Sequence, residues 1–146
     1  MSSEDLKAFI RQYIDDVNHH QDLDAIDRYV APDVVNHAAV PSLRQGITGY
    51  KQIVAGSLAA MPDQRWEIEN IVAEGDLVVV HGRRRATWLA PHFRGVPLPA
   101  GKPVEVEYVH IFRVVDGLIT EHWAVRDDLG MLLQLGAITQ SESNGA

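Results

Sequence analysis

Seven histidines and no cysteine bound the chemistry open to this 146-residue chain. Without thiols there is no disulfide, no thiolate metal site and no cysteine nucleophile. Imidazole is then the side chain best suited to moving protons near neutral pH. His110 stands out by its surroundings. Val104, Val106, Tyr108, His110, Phe112 and Val114 alternate along one stretch, and His110 is the one readily titrated group among them. A strand points alternate side chains to one face, so His110 is expected to enter an apolar interior. A neutral imidazole there suits proton transfer, and a hydrogen-bonded structural histidine fits the same pattern. His122 shares a strand face with Thr120, Ala124 and Arg126, and either role fits it. His37, in "VVNHA", is a third histidine that could face the interior. No His-x-His pair and no helical His-x3-His spacing occurs, so no metal site is expected. His19 and His20 follow the first helix and are expected in solvent.

Charged residues offer two further readings. Arg83, Arg84 and Arg85 are consecutive, and three adjacent arginines cannot all be buried. The plain reading is a solvated or interface edge. The sharper one turns a single Arg inward to hold an anionic or enolate oxygen. Asp127 and Asp128 precede "LGMLLQLG" and suit the cap of a last helix, where an acid meets free backbone N–H groups.

The elements that must position these groups follow from periodicity. Leu6, Phe9, Ile10, Tyr13, Ile14 and Val17 form one helical stripe after a Ser3 cap. Leu23, Ile26, Tyr29 and Val30 suggest a short second helix closed by Ala31-Pro32, and residues 34–38 a short strand. A third helix is expected from about Thr48 to Met61, with Pro62 as its stop. Beyond Pro62 the period drops to two. Strands are expected around Trp66–Val72, over 77–89, 102–115 and 118–126, with Asp116-Gly117 as a type I′ hairpin turn. The loop 89–102 is long for a hairpin. It is either a plain surface loop or a cover for a pocket mouth through Phe93, Val96 and Leu98. Three N-terminal helices closing a curled antiparallel sheet give an α+β, cone-shaped half-barrel with an open end for a small molecule. The apolar second face of the last strand predicts a homodimer.

The composition agrees with one globular domain over 1–138 and a flexible tail over 139–146. A net charge of −7 argues against nucleic acid and anionic membranes as partners. No apolar run is long enough for a membrane span and "MSSEDLKAFI" lacks signal-peptide character, so a cytoplasmic location is expected.

The segments "NHHQDLDAIDRYVAPDVVNHA" and "YVHIFRVVDGLITEHWAVRDDLGMLLQLG" resemble the SnoaL-like polyketide cyclase family, of the nuclear-transport-factor-type cone fold. The likeness covers about residues 5–137. It implies an enzyme of aromatic, anthracycline-type polyketide biosynthesis that uses no metal and no cofactor. It also implies that His110 is the pocket histidine, that Tyr13 and His37 match family positions, and that an acid/base aspartate directly follows the Trp of "EHW". Here that position is Ala124, which can neither take nor give a proton. A ring-hydroxylating branch of the family lacks this aspartate, so hydroxylation, with a separate reductase as a partner, is the leading expectation. Aldol-type closure using His110, or a non-catalytic ligand-binding cone, are the alternatives. The expected catalytic set is His110, His122 and His37. The expected substrate contacts are Tyr13, Tyr108, Phe112, Ala124, Trp66 and Trp88, with a hydrophobic polycyclic substrate.

Overall fold

A five-stranded sheet and the helices laid across its inner face divide the chain, in a computed structural model that describes residues 1–141. Helix α1 (Ser3–Tyr13) starts at a capping box in which Ser2 and Asp5 satisfy each other's free groups. It continues as a π-turn over Ile14–His19. Widening the helix there turns Asn18 inward beside Val17, which the straight stripe did not predict. A 3₁₀ turn (Leu23–Ala25) leads into a single helical turn, α2 (Ile26–Tyr29). Strand β1 (Val30–Asn36) begins four residues earlier than expected and contains Pro32. Proline is tolerated because β1 lies at the sheet edge. Helix α3 (Ile47–Ala60) packs on β1 and presents Tyr50 and Ser57, two turns apart, to the interior.

Strands β2 (Arg65–Glu74) and β3 (Leu77–Trp88) pair antiparallel, followed by a small hairpin of β4 (His92–Phe93) and β5 (Val96–Pro97). Strands β6 (Lys102–Val115) and β7 (Leu118–Arg126) complete the sheet, and α4 (Asp128–Gln134) follows. The order is β1-β7-β6-β3-β2. The expected α+β cone with N-terminal helices is found, and the sheet stays open at its edges. One feature differs: β1 runs parallel to β7, so the sheet is mixed. The 116–117 turn has φ of 52° and 76° at Asp116 and Gly117, as a type I′ turn requires.

Two apolar clusters fill the interior. The larger joins Leu6, Ile10, Val17, Val34, Val78 and Phe112 beneath the helices. The smaller, around Trp88, Leu98, Val104, Met131 and Leu135, lies at the open end. Leu98 is buried there and Phe93 meets Trp88 edge-on, with ring centroids 5.9 Å apart, so the 89–102 segment is an ordered cover. Of the tail expected over 139–146, Thr139 to Ser141 are exposed and 142–146 lie outside the described residues.

Candidate active site

The sheet register brings two histidines together. His110 of β6 sits opposite Ala124, and His122 of β7 opposite Phe112, so the two imidazoles are diagonal neighbours on the inner face. A bulge in β7 makes this possible. Val114 pairs with Ile119, while Arg113 pairs with Glu121, leaving Thr120 as the extra residue. Ile119 and His122 therefore both point inward, against the simple alternation expected for this strand. The parallel pairing of β1 then sets Asn36 beside His122.

These three side chains form a chain of hydrogen bonds. Asn36 Oδ1 lies 3.2 Å from the Ala38 amide and 2.8 Å from His122 Nδ1. The Ala38 N–H can only donate, which fixes that Asn36 atom as the carbonyl oxygen. His122 Nδ1 must then carry the proton, and its Nε2 must accept. His110 Nδ1, 2.7 Å from that nitrogen, is the donor. The remaining nitrogen, His110 Nε2, is left as a bare lone pair. It has no hydrogen-bond partner among the described residues, and no fully buried side-chain nitrogen or oxygen among them lacks one. Nε2 is therefore an edge of the ring open to the cavity.

Burial keeps both rings neutral. His110 is 7% exposed and His122 8%. Desolvation, then the cost of a second positive charge beside the His122 ring, then Arg84 and Arg126, hold His110 well below the usual histidine range. Desolvation, followed by Arg126 and His37, lowers His122 to about 3. Phe112 stacks on His122 at 4.9 Å and Trp66 leans on His110 at 4.8 Å. On the opposite wall Tyr13 and Tyr50 share a hydrogen bond of 2.5 Å between hydroxyls, and burial raises both.

The cavity has two parts. An inner chamber of about 70 Å³ is bounded by Tyr13, Tyr50, Trp66, His110, Phe112 and His122. An outer chamber of about 350 Å³ is bounded by Met61, Trp88, Phe93 and Met131. Ala38, Ile53, Ser57, Arg84 and Arg126 line both, so the chambers adjoin. A cleft of this size, apolar with a few convergent polar groups, suits a flat organic molecule.

Arg84 is the inward arginine of the triplet. It shares its strand face with Val78, Val80 and Trp88, and only 8% of it is exposed. Arg83 and Arg85 point out and pair with Glu69, Glu107, Glu67 and Glu105. One arginine of the three thus points inward, as the sharper alternative required, and the solvated reading holds for the other two. The apolar parity around Arg84 was the available signal. For Asn36 the signal, β1 pairing, is absent from the sequence pattern, whereas Arg126 shares the strand face of His122 by simple alternation.

The expected site residues separate into groups. Tyr13, Trp66, Phe112, His110 and His122 meet at the inner chamber, and Trp88 walls the outer one. Tyr108 does not reach either chamber. It packs behind Trp66 and donates to the Glu67 carbonyl at 3.3 Å. Ala124 lines a shallow hollow of about 400 Å³ at the rim. His37 is not brought to the histidine pair. It lies on the outer side of the sheet, stacked on Trp123 at 4.8 Å and bonded to Glu121 at 2.9 Å. It follows directly on the last residue of β1 and borders the same rim hollow as Ala124. Asp127 caps α4, accepting from Gly130 N at 2.9 Å, while Asp128 pairs with Arg126 at 3.6 Å. Among the described residues no cluster of three His, Cys, Asp or Glu could hold a metal.

The profile of the SnoaL-like polyketide cyclases matches residues 8–135. The chain belongs to this family. Solved structures agree. IdmH of Streptomyces antibioticus, described as a candidate polyketide cyclase, is 31% identical, with 90% of this chain and 98% of that one covered and a TM-score of 0.73. AclR of Streptomyces galilaeus, described as a candidate hydroxylase, is 29% identical, with 94% and 100% covered and a TM-score of 0.79. A SnoaL-like polyketide cyclase of Agrobacterium tumefaciens, 24% identical with 93% and 100% covered, shares the fold at a TM-score of 0.78. No curated protein matches the chain. No helix among the described residues is long and apolar enough to cross a membrane.

Proposed function

We propose that this SnoaL-like protein uses His110 Nε2 to deprotonate a flat, phenolic polyketide-class substrate, and that ring hydroxylation follows. The observation that carries the reading is the Asn36–His122–His110 chain, which leaves one bare imidazole nitrogen facing an apolar cleft. A histidine held neutral is a weak base, so its substrate proton must be acidic. A phenol or an enolised diketone meets that demand, and the nearby guanidinium groups favour the resulting anion.

Deprotonation leaves an electron-rich ring anion, which combines with dioxygen to form a C–O bond and a peroxide anion. The His110 imidazolium returns its proton to the peroxide. Two electrons and two protons, from a reduced ring or a separate reductase, cleave the O–O bond into a hydroxyl and water. Loss of the proton at the attacked carbon restores the aromatic ring. Aldol closure would need the same imidazolium to protonate the new alkoxide, because Ala124 offers no separate acid/base carboxylate.

The likeness to IdmH favours a second reading, aldol-type closure with His110 as the base. Incubation with a reduced dihydroxyanthraquinone under ¹⁸O₂ separates the two. The native protein is expected to incorporate one ¹⁸O and His110→Gln to incorporate none. Ring closure of an uncyclised diketone substrate without oxygen would overturn hydroxylation, and closure appearing only in Ala124→Asp would support it. We also infer a homodimer across the outer sheet face. There Val72, Val79, Ile111 and Trp123 form one row, with Val125 beside it 75% exposed. Sedimentation velocity showing a monomer would exclude it.

A further inference from the structure

We propose that the cleft takes a substrate bearing a free carboxylate, which docks on Arg84 where the two chambers meet. The inference rests on the reading of the cleft as the substrate site. Arg84 is a buried cation with no carboxylate at ion-pair distance among the described residues, and Asp128 acts on it only through its field. It donates to Ser57 Oγ at 3.3 Å and lies over the Trp66 ring at 5.6 Å, and these are its side-chain contacts of note. Its neighbours Arg83 and Arg85, on the wet face, each hold at least two glutamates. Buried charges are ordinarily paired, so the one left open at a cavity junction is a docking point.

The surroundings have the same sign. Arg94 and Arg126 border the outer chamber with Arg84, and its one acid, Asp128, is already engaged by Arg126. The chain as a whole carries −7. A cationic cleft in an acidic protein selects an anion and steers it inward. The planar guanidinium fork matches a carboxylate through two parallel hydrogen bonds, which a single ring oxygen cannot reproduce. Docked there, the rings extend over Met61, Trp88 and Phe93, and one ring edge enters the inner chamber toward His110. Neutralising Arg84 also removes one of the charges that suppress protonation of His110, so the bound acid strengthens the base that acts on it.

Anthracene carboxylate, its methyl ester and hydroxyanthracene serve as probes, with binding read from quenching of tryptophan fluorescence near neutral pH. The acid is expected to bind roughly ten- to a hundredfold more tightly than the ester, the range of a charge-assisted hydrogen-bonded pair. Arg84→Met should abolish that preference and leave the ester's affinity in place. Equal affinity of acid and ester in the native protein overturns the proposal. So does a preference that survives in Arg84→Met, or hydroxyanthracene binding better than the acid. The native comparison decides even if the variant does not fold. His110→Gln should keep the preference while losing ¹⁸O incorporation, so failure of the carboxylate site and failure of the base are told apart.

Discussion

Acidification should destabilise this fold by a defined amount well before its carboxylates titrate. His110 and His122 are held neutral in the folded chain, the first well below 6.5 and the second at about 3, chiefly by burial. In the unfolded chain both take up protons through an ordinary pKa near 6.5. A group whose folded value is depressed binds more protons when unfolded, so stability rises with pH in that window and falls on acidification. Going from about pH 7.5 to about pH 5 therefore costs about 2 kcal/mol per histidine, or about 4 kcal/mol for the pair. That is a large share of the roughly 5–15 kcal/mol available to a domain. Urea titrations at each pH measure it directly, with an expected midpoint shift of about 2 M at an m-value near 2 kcal/mol/M. The double variant His110→Gln/His122→Gln should flatten the dependence. A drop of only about 2 kcal/mol in the native protein would mean that one ring is charged when folded and the pair shares a proton. That result would refute the neutral relay.

Asn36→Leu removes the acceptor that fixes the His122 tautomer, leaving a buried N–H without a partner at a cost of roughly 1–3 kcal/mol. The ring can recover by reversing its protons, which puts a hydrogen on His110 Nε2. Turnover should fall at least about a hundredfold, the contribution expected of a general base, while probe binding persists. Gly82→Ala would set a Cβ 1.9 Å from the Glu67 carbonyl and 2.8 Å from the Tyr108 hydroxyl. Since the obstacle is strand backbone, thermal unfolding should report a loss of roughly 3 kcal/mol or more, or no folded protein. Phe93→Ala removes the edge contact with Trp88 at the cleft mouth and should raise KM more than it lowers kcat.

The fold was legible where burial enforces a period. The stripe Leu6–Ile10–Tyr13–Ile14–Val17 and the alternation Val104 to Val114 read directly as a helix and an inward strand face. His110 followed from that alternation, because one polar residue among apolar ones betrays its own burial. Arg84 carried the same signal on β3, weakened by the two solvated arginines beside it. Three features left no local trace. The π-turn at 14–19 redirects Asn18, the β7 bulge at Thr120 turns His122 inward with Ile119, and the parallel pairing of β1 delivers Asn36. The bulge and the β1 pairing depend on partners far along the chain, and together they convert an isolated histidine into a relay. His37 was misplaced for the converse reason: without the register of β1, its strand face is undetermined.

The relay itself can be observed. Imidazole ¹⁵N chemical shifts of His110 and His122 report which nitrogen of each ring carries the proton. Near neutral pH two neutral rings are expected, both protonated at Nδ1, with His110 Nε2 bare. A proton on His110 Nε2, or an imidazolium signal from either ring, would contradict the relay.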